Sequence, residues 1–156
     1  MRAGLVTALI DGLFSSVLSV LAYGSTPARM FKGVASVLIG DQAMSGGPPT
    51  AVLGVVMHVC VAFFWSAVFL FLVLRAAWVR RVLASRYGVI KIAAAYGPLV
   101  WVVMSLVVIP LMVQRAPSIT IRWWVQLLGH FPFVGLPIAF ASSHPLADRL
   151  RGRRFA

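Results

Sequence analysis

Apolar residues fall in four long blocks along this chain, separated by short segments that hold most of its charge. The blocks at about 3–23, 50–74, 92–113 and 123–142 each predict a transmembrane helix. About 20 residues rising 1.5 Å apiece cross a hydrocarbon layer of about 30 Å. A fifth element is expected between the first two. Ser25-Thr26-Pro27 supplies a hydroxyl N-cap and a first-turn proline, and Gly40 a stop. Met30, Val34, Val37 and Leu38 recur between them at helical spacing, with Arg29, Lys32 and Ser36 interspersed. A helix over 27–39 would be only about 20 Å long, so it should lie in the interface or re-enter the membrane. Residues 41–49 then read as a loop by their Gly-Gly-Pro-Pro run. The expected fold is a single domain, an all-α integral membrane bundle of four transmembrane helices. A short interfacial or re-entrant helix joins the first two, and a basic tail covers 143–156.

Polar positions inside the blocks are few and aligned. Thr7, Asp11, Ser15 and Ser19 recur every four residues and share one face of the first helix, beside a row of small residues at Ala8, Gly12 and Ser16. Thr50, Gly54, His58, Ala62 and Ser66 make a similar face on the second. The fourth carries Gln126 and His130 four apart, and Trp123 and Trp124 mark its start at headgroup level. Pro98 and Pro110 lie towards the two ends of the third block, and Pro132 and Pro137 predict a bend in the fourth. Arg2, the apolar run and Ala22-Tyr23-Gly24 also match a cleavable signal peptide. Asp11 in mid-run and the three spans that follow favour an uncleaved first helix.

Composition agrees with a membrane protein. Of 156 residues, 61% are hydrophobic and 11% charged, against about 25% charged in soluble domains. The net charge of +11 would suggest nucleic acid in a soluble protein, but neither an aromatic-interleaved basic groove nor zinc-finger spacing accompanies it. Its distribution points to topology and anionic lipid headgroups instead. Four spans put the N-terminus, the 75–91 connection and the tail on one side, with ten of the fourteen Lys and Arg residues; Arg29, Lys32, Arg115 and Arg122 fall on the other. The positive-inside rule then makes both termini cytoplasmic. The partners expected are the bilayer itself and a homo-oligomer or a membrane protein.

Candidate chemistry is confined to the membrane. A charged side chain near a helix centre costs about 2.5–3.5 kcal/mol on insertion scales, so Asp11 should face the bundle or a hydrated cavity. His58 and His130 each lie about 10–12 Å below the non-cytoplasmic surface, and Asp11 about 6 Å deeper. These three residues form a candidate intramembrane pocket if the first, second and fourth helices pack together. They would tie the helices by hydrogen bonds, relay protons or line a small-solute path, or, with His58 and His130 as axial ligands, hold haem or a metal. Arg29 and Lys32 are candidate contacts for anionic headgroups. Cys60, the sole cysteine, reads as a small buried hydrophobe. No phosphate loop, GxSxG, HExxH or CxxC motif is present, so no enzyme activity and no cofactor are expected.

Three segments carry a resemblance: PARMFKGVASVLIG (27–40), GGPPTAVLGVVMH (46–58) and HFPFVGLPIA (130–139). Their order resembles that of the YagU-like group of small multi-pass bacterial inner-membrane proteins, and Arg29, Gly33, Gly40, Gly54, His58 and His130 carry the likeness. The resemblance implies a bacterial inner membrane and four spans, and it transfers no mechanism. The leading expectation is a structural or accessory membrane protein. The second is a proton-linked small-solute transporter or channel using Asp11, His58 and His130.

Overall fold

The first helix, α1 (Arg2–Leu21), presents its polar seam and its small-residue row to the rest of the molecule: Gly4, Thr7, Ala8, Gly12 and Ser19 are buried. Leu5, Leu9, Leu13 and Val17 point away. This computed structural model describes residues 2–143, and within them the chain is helical with no strand. α2 (Pro27–Ile39) begins as its caps dictate, with the Thr26 hydroxyl accepting from the Arg29 amide at 3.1 Å. It ends at Gly40, whose positive φ of 75° suits the missing side chain. A one-turn helix, α3 (Gln42–Ser45), interrupts the expected loop. α4 (Pro48–Arg75) is the second long helix, and α5 (Ala77–Leu83) a short one after it. α6 (Gly88–Val113) and α7 (Ile121–Ser143) complete the set. α1, α4, α6 and α7 are the four helices long and apolar enough to cross a membrane. The expected tail from residue 144 onward lies outside the described residues.

Close approach of backbones sets the arrangement. Lipid tails are as apolar as leucine, so helices in a bilayer associate by van der Waals fit and interhelical hydrogen bonds. α2 lies along the first half of α4, its most extensive partner, and also touches α1 and the end of α6. The contact is possible because Gly54 has no side chain: a Cβ there would run into the Phe31 carbonyl. Gly97 on α6 and Gly135 on α7 do the same for the α6–α7 pair, lying against the carbonyls of His130 and Ala93 respectively. α1 sits between α4 and α7. The main apolar core lies at the end of the bundle where α4 meets α5, around Phe69, Val73, Val79, Tyr96 and Ile138. There the Tyr96 hydroxyl donates to the Trp65 carbonyl at 2.7 Å and ties α6 to α4.

α6 and α7, the two long helices with proline in their interior, share one irregularity. α6 contains a π turn at Met104–Val108 that closes with Ile109 N–H donating to the Met104 carbonyl. α7 contains another at Phe131–Gly135, closed by Leu136 N–H donating to the Phe131 carbonyl. Each closing residue directly precedes a proline, Pro110 or Pro137. A proline ring clashes with the carbonyl four residues back, and a widened turn moves that carbonyl aside.

Two expectations need correction. Cys60 is exposed, not buried; it stands two residues, about 200° around the helix, from the His58 row that α4 turns inward. On α2 the buried position is Ala35, whereas Leu38 is 57% exposed. The line Phe31–Ala35 faces α4, a contact that the apolar spacing used to identify the helix left unassigned. The 75–91 connection is largely helical, through α5 and an earlier start of α6. Its arginines are not all free for headgroups: Arg80 turns back and donates to the Val73 and Leu74 carbonyls at 2.8 and 3.0 Å.

Candidate intramembrane site

His58 projects from the inward face of α4 onto α1. Its Nε2–H donates to the Ala8 carbonyl at 3.1 Å, and the same nitrogen stands 3.9 Å from Asp11 Oδ2. A carbonyl can only accept, so this bond fixes the proton on Nε2. Ala8 precedes Gly12 by one helical turn, and Gly12 is what admits the ring. A Cβ at position 12 would sit 3.3 Å from Nε2, tighter than nearly all such contacts. The edge of Phe31, brought in by α2, closes the other side, with ring centroids 5.9 Å apart. Thus the seam of α1, its neighbouring glycine and the short α2 together build the imidazole's seat.

Asp11 is partly enclosed, its side chain 14% exposed. At 3.9 Å its contact with His58 is an electrostatic pair and too long for a hydrogen bond. Oδ1 is buried with no hydrogen-bond partner among the described residues. His130 comes from α7 and lies within electrostatic range of both Asp11 and His58. It is buried, its Nδ1–H donates to the Gln126 carbonyl one turn back at 2.7 Å, and its ring lies 4.8 Å from that of Trp101. The three polar residues singled out in the sequence therefore gather where α1, α4 and α7 meet. Phe14 stacks on Phe133 at 4.1 Å beside them, and Gly129 makes room for the Phe14 ring.

The donor set does not suit bis-imidazole ligation. His58 Nε2 is turned against the backbone of α1, and His130 packs on Trp101. Among the described residues no three of His, Cys, Asp or Glu form a metal-binding group. Arg29 and Lys32 stand apart from the cluster, Arg29 on the exposed side of α2 and Lys32 half-buried.

At the α2 end of the bundle, Arg115 and Asp41 form a bidentate ion pair, Nη2 to Oδ2 at 2.7 Å and Nη1 to Oδ1 at 3.3 Å. The Arg115 guanidinium holds the Asp41 carboxyl below its ordinary range, and Asp41 raises Arg115 in return. Sequence spacing carries no signal for this pair, because 74 residues separate its members. A cleft of about 420 Å³ lies beside it, between the ends of α6 and α7. It too was missed, since its lining comes from two helices and the turn between them.

The described residues thus hold four helices long and apolar enough to cross a membrane, with an Asp–His cluster among three of them. Searches of family models, curated proteins and solved structures found no match to this chain.

Proposed function

We propose that the protein is a structural or accessory component of the bacterial inner membrane, without enzyme activity, in which Asp11, His58 and His130 join three spans. The observation that carries this reading is the use of imidazole protons on backbone carbonyls. His58 bonds Ala8 across two helices, and His130 bonds Gln126 within its own. The first is an interhelical polar contact of the kind that holds small membrane bundles together, and the second fixes the His130 ring on α7. The likeness of residues 27–40, 46–58 and 130–139 to the YagU-like group supports the bacterial inner membrane. Both termini are cytoplasmic in this reading. The charge distribution supports that, and the Asp41–Arg115 pair supports one shared end for the 40–47 and 114–120 segments.

A second reading, proton-linked passage of a small solute, is favoured by one feature: the unpartnered Oδ1 of Asp11, only 3.9 Å from the imidazole on its other oxygen. Proteoliposomes separate the two. A structural role predicts no proton or solute flux above empty liposomes, and a partner that co-purifies in mild detergent until α2 is disrupted. A pH-driven flux abolished by Asp11→Asn would overturn the structural reading in favour of the second.

A further inference from the structure

The cleft at the α2 end of the bundle has a graded chemistry. Its rim carries Arg115 and Arg122, and its walls include Trp101, Ile109 and Val113. Gln126 also lines it, with an amide oxygen that is buried and lacks a hydrogen-bond partner among the described residues. The volume of about 420 Å³ falls in the range of small-molecule sites.

Charge and depth identify the occupant. Arg115 is held by Asp41, but among the described residues Arg122 has an aromatic partner only, its Cζ 4.2 Å from the centre of the Tyr23 ring. The other described carboxylate, Asp11, lies beside His58. The rim thus keeps a guanidinium that no described carboxylate balances and whose fork matches a phosphate. Gln126 stands five residues along α7 from its start at Ile121, about 7–8 Å deeper. The interfacial layer of a bilayer is about 5–8 Å thick on each side. Gln126 therefore lies where headgroups give way to hydrocarbon, the level of glycerol esters. Its amide can turn its NH2 towards an ester carbonyl, since the two amide orientations differ little in shape. A free anion would leave the tryptophan and aliphatic walls unused.

We propose that this cleft binds one anionic phospholipid, with its phosphate at Arg122 beside Arg115, its ester region at Gln126 and an acyl chain against Trp101, Ile109 and Val113. The lipid would brace α6 and α7 where the π turn of Met104–Val108 has loosened regular hydrogen bonding. Ser105 in that turn already accepts a bond from Trp123 Nε1 at 2.9 Å.

Trp101 and Trp123 make the site readable. In a variant with Trp65, Trp78 and Trp124 changed to Phe, fluorescence reports these two residues. The protein is placed in phosphatidylcholine nanodiscs containing rising fractions of brominated phosphatidylglycerol or brominated phosphatidylcholine. Half-maximal quenching is expected at about a fivefold lower fraction of the anionic lipid, the effect of one basic residue at a membrane surface. Arg122→Gln should bring the two fractions together, and Arg29→Gln should leave them apart. Equal fractions in the parent, or a preference that survives Arg122→Gln, overturns the proposal. So does relief of quenching by inorganic phosphate or soluble glycerophosphoglycerol, which would mark a site for a free anion. Native mass spectrometry of the unaltered protein gives a second reading that needs no variant. One phosphatidylglycerol per chain should be retained at collision energies that strip phosphatidylcholine, and simultaneous loss of both lipids overturns the assignment.

Discussion

The imidazole of His58 and the carboxylate of Asp11 meet across α1 and α4 at 3.9 Å, while the proton on His58 Nε2 is spent on the Ala8 carbonyl at 3.1 Å. The pair is thus an electrostatic contact laid over a hydrogen bond to the backbone. Each part has a separate mutational signature.

Loss of the ring should cost the backbone bond. His58→Leu is expected to destabilise the bundle by about 0.5–1.5 kcal/mol, the scale of interhelical hydrogen bonds in membranes. Asp11→Asn removes the charge and keeps the shape, so it should leave stability unchanged or raise it, because insertion of the carboxylate is itself unfavourable. A double-mutant cycle followed by denaturant unfolding in mixed micelles isolates their coupling. If Asp11→Asn destabilises more than His58→Leu, the carboxylate is the main tie and the assignment of roles is wrong.

The α2–α4 contact rests on a missing side chain. Gly54→Ala would drive a methyl into the Phe31 carbonyl, and overpacking of that kind costs about 1–3 kcal/mol. Gly33, on α2, has nothing within 4 Å of an added Cβ. Gly33→Ala should be neutral or stabilising by up to about 1 kcal/mol through helix propensity. Melting temperatures of the two variants in one detergent test the contrast, and similar shifts for both would contradict the packing described.

Arg80 closes α4 by taking the carbonyls of Val73 and Leu74. Arg80→Ala should destabilise by about 1–2 kcal/mol, since hydrogen bonds from charged donors exceed neutral ones. Arg81 is exposed, and Arg81→Ala should change thermal stability little. Equal effects of the two would assign both arginines to the membrane surface alone.

The Asp41–Arg115 pair carries a pH dependence of known sign. Arg115 lowers the carboxyl of Asp41, so the folded chain binds that proton later than the unfolded one as pH falls. Its contribution to stability is complete above the ordinary carboxylate value and is lost as pH drops through the lowered one. Carboxyl-selective NMR titration should show Asp41 protonating below the ordinary range, and Arg115→Gln should move it back up. An Asp41 titration unaffected by Arg115→Gln would show that the pair does not form in solution.

Legibility of the site divided by physical cause. The Asp11 seam and the His58 row could be read because helical periodicity alone puts every fourth residue on one face. The meeting of Asp11 with His58 could be anticipated only as a condition on which helices touch. The Asp41–Arg115 pair had no local pattern, because 74 residues separate its members, and the Arg122 cleft had none because it depends on how two successive helices and their turn splay apart. The contact face of α2 was not marked by the sequence either: a small residue, Ala35, and a glycine on the neighbouring helix allow the closest approach, and hydrophobicity does not measure closeness.

The sequence by itself determined four apolar helices, the caps of α2, the prolines that interrupt α6 and α7, and the polar residues placed inside the apolar blocks. These follow from local chemistry: helix length against bilayer thickness, hydroxyl and glycine caps, missing proline amides. Tertiary structure decided which helix fills each gap, that Gly12 admits His58 to the Ala8 carbonyl, and that π turns accompany Pro110 and Pro137. It also decided that Arg122 overlooks a cleft. Those outcomes depend on shapes meeting across the bundle. Inside a membrane, where apolar burial no longer separates one helix pairing from another, close fit and hydrogen bonding make the choice.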